Sequence, residues 1–260
     1  MKISIVIPAY NEEKRIGNTL EEYCKFFDKL IKSNKINYQI LVVINGTNDN
    51  TEQIVKNCKK KYKKIKYLNL EQIGKGFAIT QGFKESLKDE WDLIGFVDAD
   101  IATCPEEYWK LIEDIKEYDG AIADRYIKGA EISPKFSFRR IIVSRVFNLL
   151  VRAMFLLPYK DTQCGAKVFK KEVIEKILDE ATITQWAYDI DLLYSCKKNN
   201  FKILSVPTKW YEVEGSKLNV KKASIQMLFA IIQLRLLRSL FKHSLKVFTP
   251  AIGMIYKLVK

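Results

Sequence analysis

The sequence predicts an α/β protein in which a mostly parallel sheet is covered by helices on both faces. In the first half of the 260-residue chain, five short runs rich in Val and Ile alternate with longer segments of helical periodicity. Such runs are typical of strands buried on both faces, and their alternation with helices is typical of parallel sheets. Hydrophobic residues make up 48% of the chain, which is enough for a packed core.

The elements follow in a regular order along the chain. The predicted strands cover residues 3–8, 39–45, 65–70, 93–98 and 121–125, and the predicted helices between them cover residues 12–33, 50–63, 76–89 and 105–117. After residue 130 the pattern changes to long amphipathic helices over residues 136–157 and 221–242, with one further strand over residues 202–210. The chain therefore divides into a sheet-forming part and a mainly helical part.

Charge and rare residue types limit the chemistry. The formal net charge of +13 indicates an anionic partner, such as a phosphorylated substrate, an acidic lipid surface or nucleic acid; a lysine-rich proteome is the alternative explanation. The single histidine is His243, and the five cysteines are scattered without a C-x-x-C pair. A serine–histidine hydrolase, a multi-histidine metal site and a disulfide framework are therefore excluded. Catalysis must use carboxylates, a hard cation, arginines and lysines.

Unusual polar residues stand where the predicted strands end, at 8–12, 45–47 and 98–100. Ligands of open α/β sheets bind beyond the carboxyl ends of the strands, so these segments are candidate site residues. Asp98 and Asp100 can share a hard cation that also takes substrate phosphates. Lys75, between Gly74 and Gly76, precedes a helix, and this segment is either a phosphate cradle or an ordinary helix-start turn.

Three more polar clusters follow in the second half, at 161–165, 186–191 and 214–217. In the second cluster, Asp189 and Asp191 stand two positions apart, so on a helix they do not face the same way. We expect one of them to enter the cleft and the other to cap the helix. The third cluster, Glu214-Gly215-Ser216-Lys217, is predicted to be a loop that closes over an anionic ligand.

The two long helices carry basic residues beside large apolar surfaces. Arg140, Ser144, Asn148 and Arg152 recur every four residues on the first helix, and Arg235, Arg238, Ser239 and Lys242 share a face of the second. No apolar run reaches the roughly 20 residues that span a bilayer, and the chain starts directly with a strand instead of a signal peptide. We therefore expect these helices to lie in the membrane interface, the alternatives being packing on the domain or dimer formation. The residues expected to enter lipid are Val143, Phe147, Leu150 and Phe155.

Taken in order, the motifs resemble those of the family 2 glycosyltransferases, in particular the dolichyl-phosphate mannose and dolichyl-phosphate glucose synthases. The resemblance runs from residue 3 to about residue 218. The motifs are VIPAYNEE (6–13), VVINGTNDNT (42–51), GKGFA (74–78), FVDAD (96–100), ADRY (123–126), DTQCGAK (161–167), WAYDID (186–191) and EGSKL (214–218). The last three favour the glucose branch, the dolichyl-phosphate beta-glucosyltransferases. The resemblance implies a GT-A fold over residues 1–218, followed by amphipathic membrane-interface helices over residues 219–260.

The resemblance also implies a role for individual residues. The donor would be bound by Pro8, Tyr10, Glu12, Asn45, Lys75, Asp98 and Ala99, with Mg²⁺ or Mn²⁺ held on its diphosphate by Asp98 and Asp100. The acceptor phosphate would be bound by Arg125, Arg139, Arg140, Ser144 and Lys217. The catalytic set would be Asp98, Asp100, Asp189 and Asp191, of which the last two lie at the sugar end of the cleft.

Two positions depart from the pattern of the family. Ile44 and Asn45 stand where the family usually has two aspartates, so Asn45 is expected to serve the nucleotide by hydrogen bonding. Ala102 stands where many mannose synthases have a glutamine that ligates the metal. The cation is therefore expected to depend more on donor phosphates and water.

The sequence thus predicts an inverting glycosyltransferase that moves a sugar from a nucleotide-sugar to dolichyl or polyprenyl phosphate. UDP-glucose is the first choice of donor, UDP-N-acetylglucosamine the second and GDP-mannose the third. The protein is expected on the cytoplasmic face of a membrane, peripheral and without a transmembrane span, and a homo-oligomer is possible. A non-lipid family 2 glycosyltransferase and a nucleic-acid-binding protein are the alternatives; no nucleic acid is expected, because the lysines spread along helix faces such as 59–64.

Overall fold

The computed structural model describes residues 1–33, 36–180, 187–211 and 220–239. Its centre is a seven-stranded sheet of order β3-β2-β1-β4-β7-β5-β8. The strands are β1 (Lys2–Ala9), β2 (Asn37–Asn45), β3 (Ile65–Leu70), β4 (Leu93–Val97), β5 (Gly120–Asp124), β7 (Ala166–Lys170) and β8 (Ile203–Pro207). Every neighbouring pair is parallel except those that involve β7. The predicted mostly parallel sheet is confirmed.

Helices cover both faces of this sheet. They are α1 (Ile16–Lys32), α2 (Thr51–Lys61), α3 (Lys75–Ser86), α4 (Pro105–Asp114), α5 (Phe138–Phe155), α6 (Lys171–Ile177), α7 (Tyr188–Lys198) and α8 (Val220–Leu237). Because side chains alternate along a strand, Ile5 of β1 belongs to the core cluster that includes side chains of α1, α2 and α4. The adjacent Val6 belongs to the cluster that includes side chains of α3, α7 and α8. This alternation explains why β1 reads as one continuous apolar run, as expected for a strand with a helix layer on each side.

The antiparallel strand β7 was missing from the sequence-based prediction. It lies between β4 and β5, and Ala166 at its start pairs with Val97 at the end of β4. The Asp98 N–H donates to the carbonyl oxygen of Gly165 at 3.0 Å. As a result, the segment 161–165 lies directly beside Asp98, at the same edge of the sheet as the ends of β1 and β2.

The strand predicted over residues 202–210 is divided in two. Its first part is β8, at the edge of the main sheet, and its second part is β9 (Lys209–Tyr211), which pairs in parallel with β6 (Glu131–Ser133). In the chain, β6 precedes α5 and β9 follows it. Trp210 of β9 contacts Phe136 edge to face, with ring centroids 5.3 Å apart, which holds the start of α5 on the domain.

Helix α5 is slightly shorter than predicted and is buried along one side only. Phe155 is 2% exposed and packs in the same core cluster as Ile231 and Leu234 of α8. The expectation that Phe155 enters lipid is therefore wrong, because α8 covers that side of α5; Phe147 is half-buried for the same reason. The opposite side stays exposed at Phe138, Ile141, Ile142, Val143, Val146, Leu149 and Leu150.

Helix α8 belongs to the folded core as well as to the predicted interfacial segment 219–260. Its Ala230, Ile231 and Leu234 are buried, whereas Leu228, Phe229, Ile232 and Leu236 are exposed. Residues 240–260, with Lys242, lie outside the described ranges. None of the helices within those ranges is both long and apolar enough to span a bilayer.

Candidate active site

The loops that follow β1 and β2 form one wall of a cleft. The backbone N–H of Asn11 donates to Thr47 Oγ1 (3.2 Å), and the Asn11 side chain accepts from the N–H of Asn48 (2.9 Å). The N–H of Glu13 donates to Asp49 Oδ2 (3.1 Å). These bonds join the two loops around a cavity of about 400 Å³. That volume lies within the usual range for small-molecule sites. It is lined by Asn11, Glu12, Glu13, Lys14, Arg15, Asn48 and Asp49.

Glu12 and Arg15 form a fixed ion pair in this wall. Arg15 Nε and Nη2 each lie 2.7 Å from a carboxylate oxygen of Glu12. Burial raises the pKa of Glu12 in spite of this pair. Tyr10 precedes the cavity-lining residues in the chain and is exposed, and Pro8 is buried within β1. Of the three residues expected around the base and ribose, Tyr10 and Glu12 are thus accessible, and Pro8 shapes the strand beneath them.

Asn45 does not face the cleft as expected. In the amide orientation that satisfies both of its polar groups, Nδ2 donates to the carbonyl oxygen of Ala9 and Oδ1 accepts from the N–H of Gly74, each at 3.0 Å. The side chain is buried, so no group is left for a nucleotide. Asn45 instead ties together the ends of β1 and β2 and the start of α3. Gly74, which donates to Asn45, has a backbone φ of 145°, a conformation that favours glycine.

The carboxylate pair at the end of β4 faces the start of α3. Lys75 Nζ lies 2.6 Å from Asp98 Oδ1, which forms an ion pair across the cleft floor. Burial alone would lower the pKa of Lys75, but Asp98 and Asp189 raise it above its usual value, so the ammonium is charged. Ala99 is buried between the two aspartates, and its carbonyl oxygen accepts from Thr19 Oγ1 (2.7 Å).

Asp100 is held in place by the turn that follows it. Its Oδ1 accepts from the N–H of Ala102 at 3.0 Å. Ile101 between them adopts φ 59°, which is rare for a β-branched residue and marks strained backbone. Burial and the charge of Asp98 both raise the pKa of Asp100. The turn thus keeps two repelling carboxylates close together.

The donor set at this place fits a divalent cation that is bound together with a phosphorylated ligand. Asp98 and Asp100 supply carboxylate oxygens, and a cation would relieve their mutual repulsion. Among the described residues there is no group of three or more His, Cys, Asp or Glu side chains that could hold a metal alone. Mg²⁺ takes six oxygen ligands, so donor phosphates and water must complete its coordination.

Asp161 and Arg125 form a buried bidentate pair beside the carboxylates. Arg125 Nε and Nη2 lie 2.7 and 3.1 Å from the two carboxylate oxygens of Asp161, and the Arg125 backbone N–H adds a third bond at 3.2 Å. Burial would raise the pKa of Asp161, but Arg125 lowers it below its ordinary value. Asp161 therefore accepts hydrogen bonds from Nε and Nη2 of Arg125. The predicted contact of Arg125 with an acceptor phosphate would use only the remaining N–H donors of the guanidinium.

Lys167 is a site residue that the sequence analysis missed. It lies in β7, its side chain is fully buried, and its Nζ donates to the Cys164 carbonyl oxygen (2.7 Å) and to Asp189 Oδ1 (2.5 Å). The ammonium also lies 5.3 Å from the centre of the Phe96 ring. Burial would raise the pKa of Asp189, but Lys167 and Lys75 lower it, so Asp189 is an anion near the cleft floor.

Asp191 points away from the cleft, which corrects the expectation that it acts at the sugar end. It is fully buried, and its Oδ1 lies 2.6 Å from Nη2 and 2.7 Å from Nε of Arg238, next to α8. Arg238 also donates to Ser195 Oγ at 2.8 Å. Arg238 is consequently a buried partner of α7 and not part of a membrane-facing stripe. Neither aspartate caps α7, whose N-cap is Ala187 without a side-chain bond.

The residues expected to bind the acceptor phosphate lie around the start of α5. Ser144 Oγ and the Tyr126 hydroxyl are 2.6 Å apart, and the Arg140 guanidinium lies 3.9 Å from the centre of the Phe136 ring. Arg139 is the neighbour of Arg140 in α5. Lys217, Trp186 and the loop 214–217 lie outside the described residues. The described acceptor candidates therefore share one region, at the end of β5 and the first turns of α5.

The sheet is mostly parallel, two carboxylates stand at the end of a central strand, and a cavity of about 400 Å³ lies among the loops that follow β1 and β2. This arrangement is typical of α/β enzymes, which bind their ligands beyond the carboxyl ends of the strands. The model of the glycosyl transferase family 2 matches residues 4–178, and the chain belongs to this family.

Two relatives and one solved structure place the chain more closely. It is 32% identical over 243 residues to the dolichyl-phosphate beta-glucosyltransferase of Dictyostelium discoideum, covering 90% of this chain and 73% of that protein. It is 30% identical over 257 residues to the enzyme of the same name from Saccharomyces cerevisiae, covering 90% and 74%. Glucosyl-3-phosphoglycerate synthase from Mycobacterium tuberculosis, solved with Mn²⁺, uridine diphosphate and phosphoglyceric acid, superposes with a TM-score of 0.67 at 16% identity, over 90% of this chain and 78% of that one. The last comparison shows that the fold is GT-A-like.

Proposed function

We propose that this family 2 glycosyltransferase moves glucose from UDP-glucose to dolichyl or another polyprenyl phosphate at the cytoplasmic face of a membrane. The observation that carries the proposal is the cluster of Asp98, Asp100 and Lys75 at the strand end beside the 400 Å³ cleft. It combines oxygen ligands for a cation with an ammonium that can contact phosphate. The names of the relatives favour glucose and dolichyl phosphate.

The chain's own residues have separable tasks in this reaction. Asp98 and Asp100 would hold Mg²⁺ or Mn²⁺, which supplies Lewis-acid stabilisation of the departing diphosphate when bound. Tyr10, which is exposed, and Glu12, which lines the cavity, would contact the nucleoside, and Lys75 would leave Asp98 to bind a donor phosphate. Asp189, kept ionised by Lys167, can accept hydrogen bonds from sugar hydroxyls.

The proposed acceptor accounts for a site in which none of the described residues is a histidine base. A phosphate monoester is already ionised at neutral pH, so its oxygen can attack the anomeric carbon in a single displacement without a strong general base. Positioning then supplies most of the acceleration. Arg140 with Ser144, and Arg139 beside them, lie on α5 where that helix exposes its apolar side chains, so the phosphate of a membrane-embedded lipid would meet them at the surface.

The test is a panel of labelled nucleotide-sugars with dolichyl phosphate in detergent, scored by label in the organic phase. UDP-glucose should transfer most label, with a requirement for Mg²⁺ or Mn²⁺. Label from UDP-N-acetylglucosamine or GDP-mannose instead would reassign the sugar, and label that stays in water-soluble products would indicate a non-lipid acceptor.

A matched pair of variants tests the role of the metal carboxylates. Asp100→Ala should abolish transfer and leave the fold intact, because Asp100 serves the cation site and not the core. Asp114→Ala removes an exposed carboxylate at the end of α4 and should behave like the wild type. Near-wild-type transfer by Asp100→Ala would contradict the proposed role of Asp100 as a ligand of the divalent cation.

A further inference from the structure

We propose that α5 carries a second anion site, formed by Arg145, Asn148 and Arg152, that binds the head-group phosphate of an anionic phospholipid. The proposal rests on the membrane location given under the proposed function and adds a lipid contact that is separate from the transfer reaction. A cavity of about 240 Å³ opens at this place, lined by Arg145, Val146, Asn148, Leu149 and Arg152.

The polar groups of the cavity suit a phosphate. Positions 145, 148 and 152 share one face of α5, because they are three and four residues apart. Asn148 is buried, and Arg152 Nε is shielded from solvent with no hydrogen-bond acceptor among the described residues. Within the same part of the chain, no carboxylate pairs with Arg145 or Arg152. A shielded N–H without an acceptor costs free energy, and a phosphate oxygen would remove that cost.

The rim of the cavity indicates a lipid and not a free anion. Val146 is 53% exposed and Leu149 is 63% exposed, and further apolar side chains continue towards Phe138, which is 76% exposed. A soluble phosphate ester would gain nothing from such a rim. A phospholipid presents its phosphate directly beside acyl chains, and the net charge of +13 favours an anionic surface.

The site is distinct from the residues assigned to the acceptor. Ser144 points to the Tyr126 hydroxyl and Arg140 stacks on Phe136, both towards the domain. Arg145 contacts the ring of Tyr126 and not its hydroxyl group, with its guanidinium 5.2 Å from the ring centre. A phosphate held by Arg145 and Arg152 would set the rotation of α5 on the membrane while Ser144 stays turned towards the cleft.

The experiment is co-sedimentation of the full chain with vesicles, without donor or acceptor. Two compositions are compared: phosphatidylcholine alone, and equal parts of phosphatidylcholine and phosphatidylglycerol. The control is Arg235→Gln, which removes an exposed arginine from α8 and so changes the net charge equally. Arg152→Gln should weaken binding to the anionic vesicles about tenfold or more through the loss of charged hydrogen bonds. Arg235→Gln should weaken it no more than about fivefold.

Three further measurements keep the test decisive. Arg145→Gln, at an exposed position, should also lose more affinity than the control, and Arg152→Lys should be weaker than the wild type because it lacks the planar fork. Equal losses in Arg152→Gln and Arg235→Gln would overturn the proposal in favour of diffuse charge attraction. Thermal unfolding identifies a variant that fails to fold. Since no sugar transfer is measured, a failure here is distinguishable from a failure of the proposed glucosyltransferase activity.

Discussion

Gly165→Ala is the substitution for which the structure makes the sharpest prediction. A Cβ at Gly165 would lie 1.8 Å from Oδ2 and 2.2 Å from Cγ of Asp98. Non-bonded carbon atoms prefer separations of about 3.5–4.0 Å. The Asp98 carboxylate must therefore move by roughly 1.5 Å or more, because the 3.0 Å backbone bond between Asp98 and Gly165 holds the two chain segments together.

This displacement would remove Asp98 from both Lys75 and the cation site. A misplacement of about 1 Å in a catalytic constellation can cost about 100-fold in rate. We expect sugar transfer by Gly165→Ala to fall about 100-fold or more, together with a weaker affinity for Mn²⁺. The free energy of unfolding should fall by only about 1–3 kcal/mol, the usual cost of one additional methyl group in a packed site.

The assay compares initial rates of label transfer, Mn²⁺ affinity by calorimetry and denaturant unfolding for three proteins. Gly17→Ala in α1 is the matched control, because the added Cβ would lie 3.3 Å from Ile54 Cγ2 of α2 and far from the carboxylates. It should retain wild-type transfer. The reasoning is refuted if Gly165→Ala keeps transfer within a few-fold of the wild type with an unchanged Mn²⁺ affinity.

Two further predictions concern the buried ion pairs. Lys167→Met removes the closest cation from Asp189, so the pKa of Asp189 should rise and the acid limb of the pH–rate profile should move to higher pH; an unmoved profile would contradict this role. In the wild type, the Lys167–Asp189 ion pair stabilises the fold at pH values above the ordinary aspartate pKa. This stabilisation is lost as the pH falls through the lowered pKa of Asp189. Arg238→Leu removes the two bonds that Arg238 makes to the buried carboxylate of Asp191, so the free energy of unfolding should fall by about 3–5 kcal/mol in urea denaturation. The double variant Asp191→Asn with Arg238→Leu should recover part of that loss, and an additive loss would argue against direct coupling.

The parts of the fold that could be predicted are those whose pattern is local. β1, β2 and β4 are continuous apolar runs, and each was found close to its observed bounds. β7 was missed because Lys167 interrupts its apolar pattern, and a buried lysine is explained only by a partner 22 positions later. Its antiparallel direction also depends on neighbours that are distant in the chain.

The candidate site shows the same division. Asp98 and Asp100 could be found because two carboxylates at the end of a buried strand are a local pattern. Asn45 also follows a buried strand, but its side-chain amide bonds to the backbone of Ala9 and Gly74. The spacing of residues in the sequence does not show these bonds. Arg238 was assigned to a basic helix face, because its partner Asp191 lies 47 positions earlier in the chain.

The first turn of α7 carries two anions that serve different neighbours. Asp189 binds Lys167 of the central sheet, and Asp191 binds Arg238 beside α8. The two aspartates are about 3 Å apart along the axis of α7, which is the rise of two helical residues. Asp189 lies near the floor of the cleft, and Asp191 holds the end of α8, the helix that exposes Leu228 and Phe229. Because α7 joins the two ion pairs, tilting α8 relative to the sheet would disturb the Asp191–Arg238 pair, the Asp189–Lys167 pair or both.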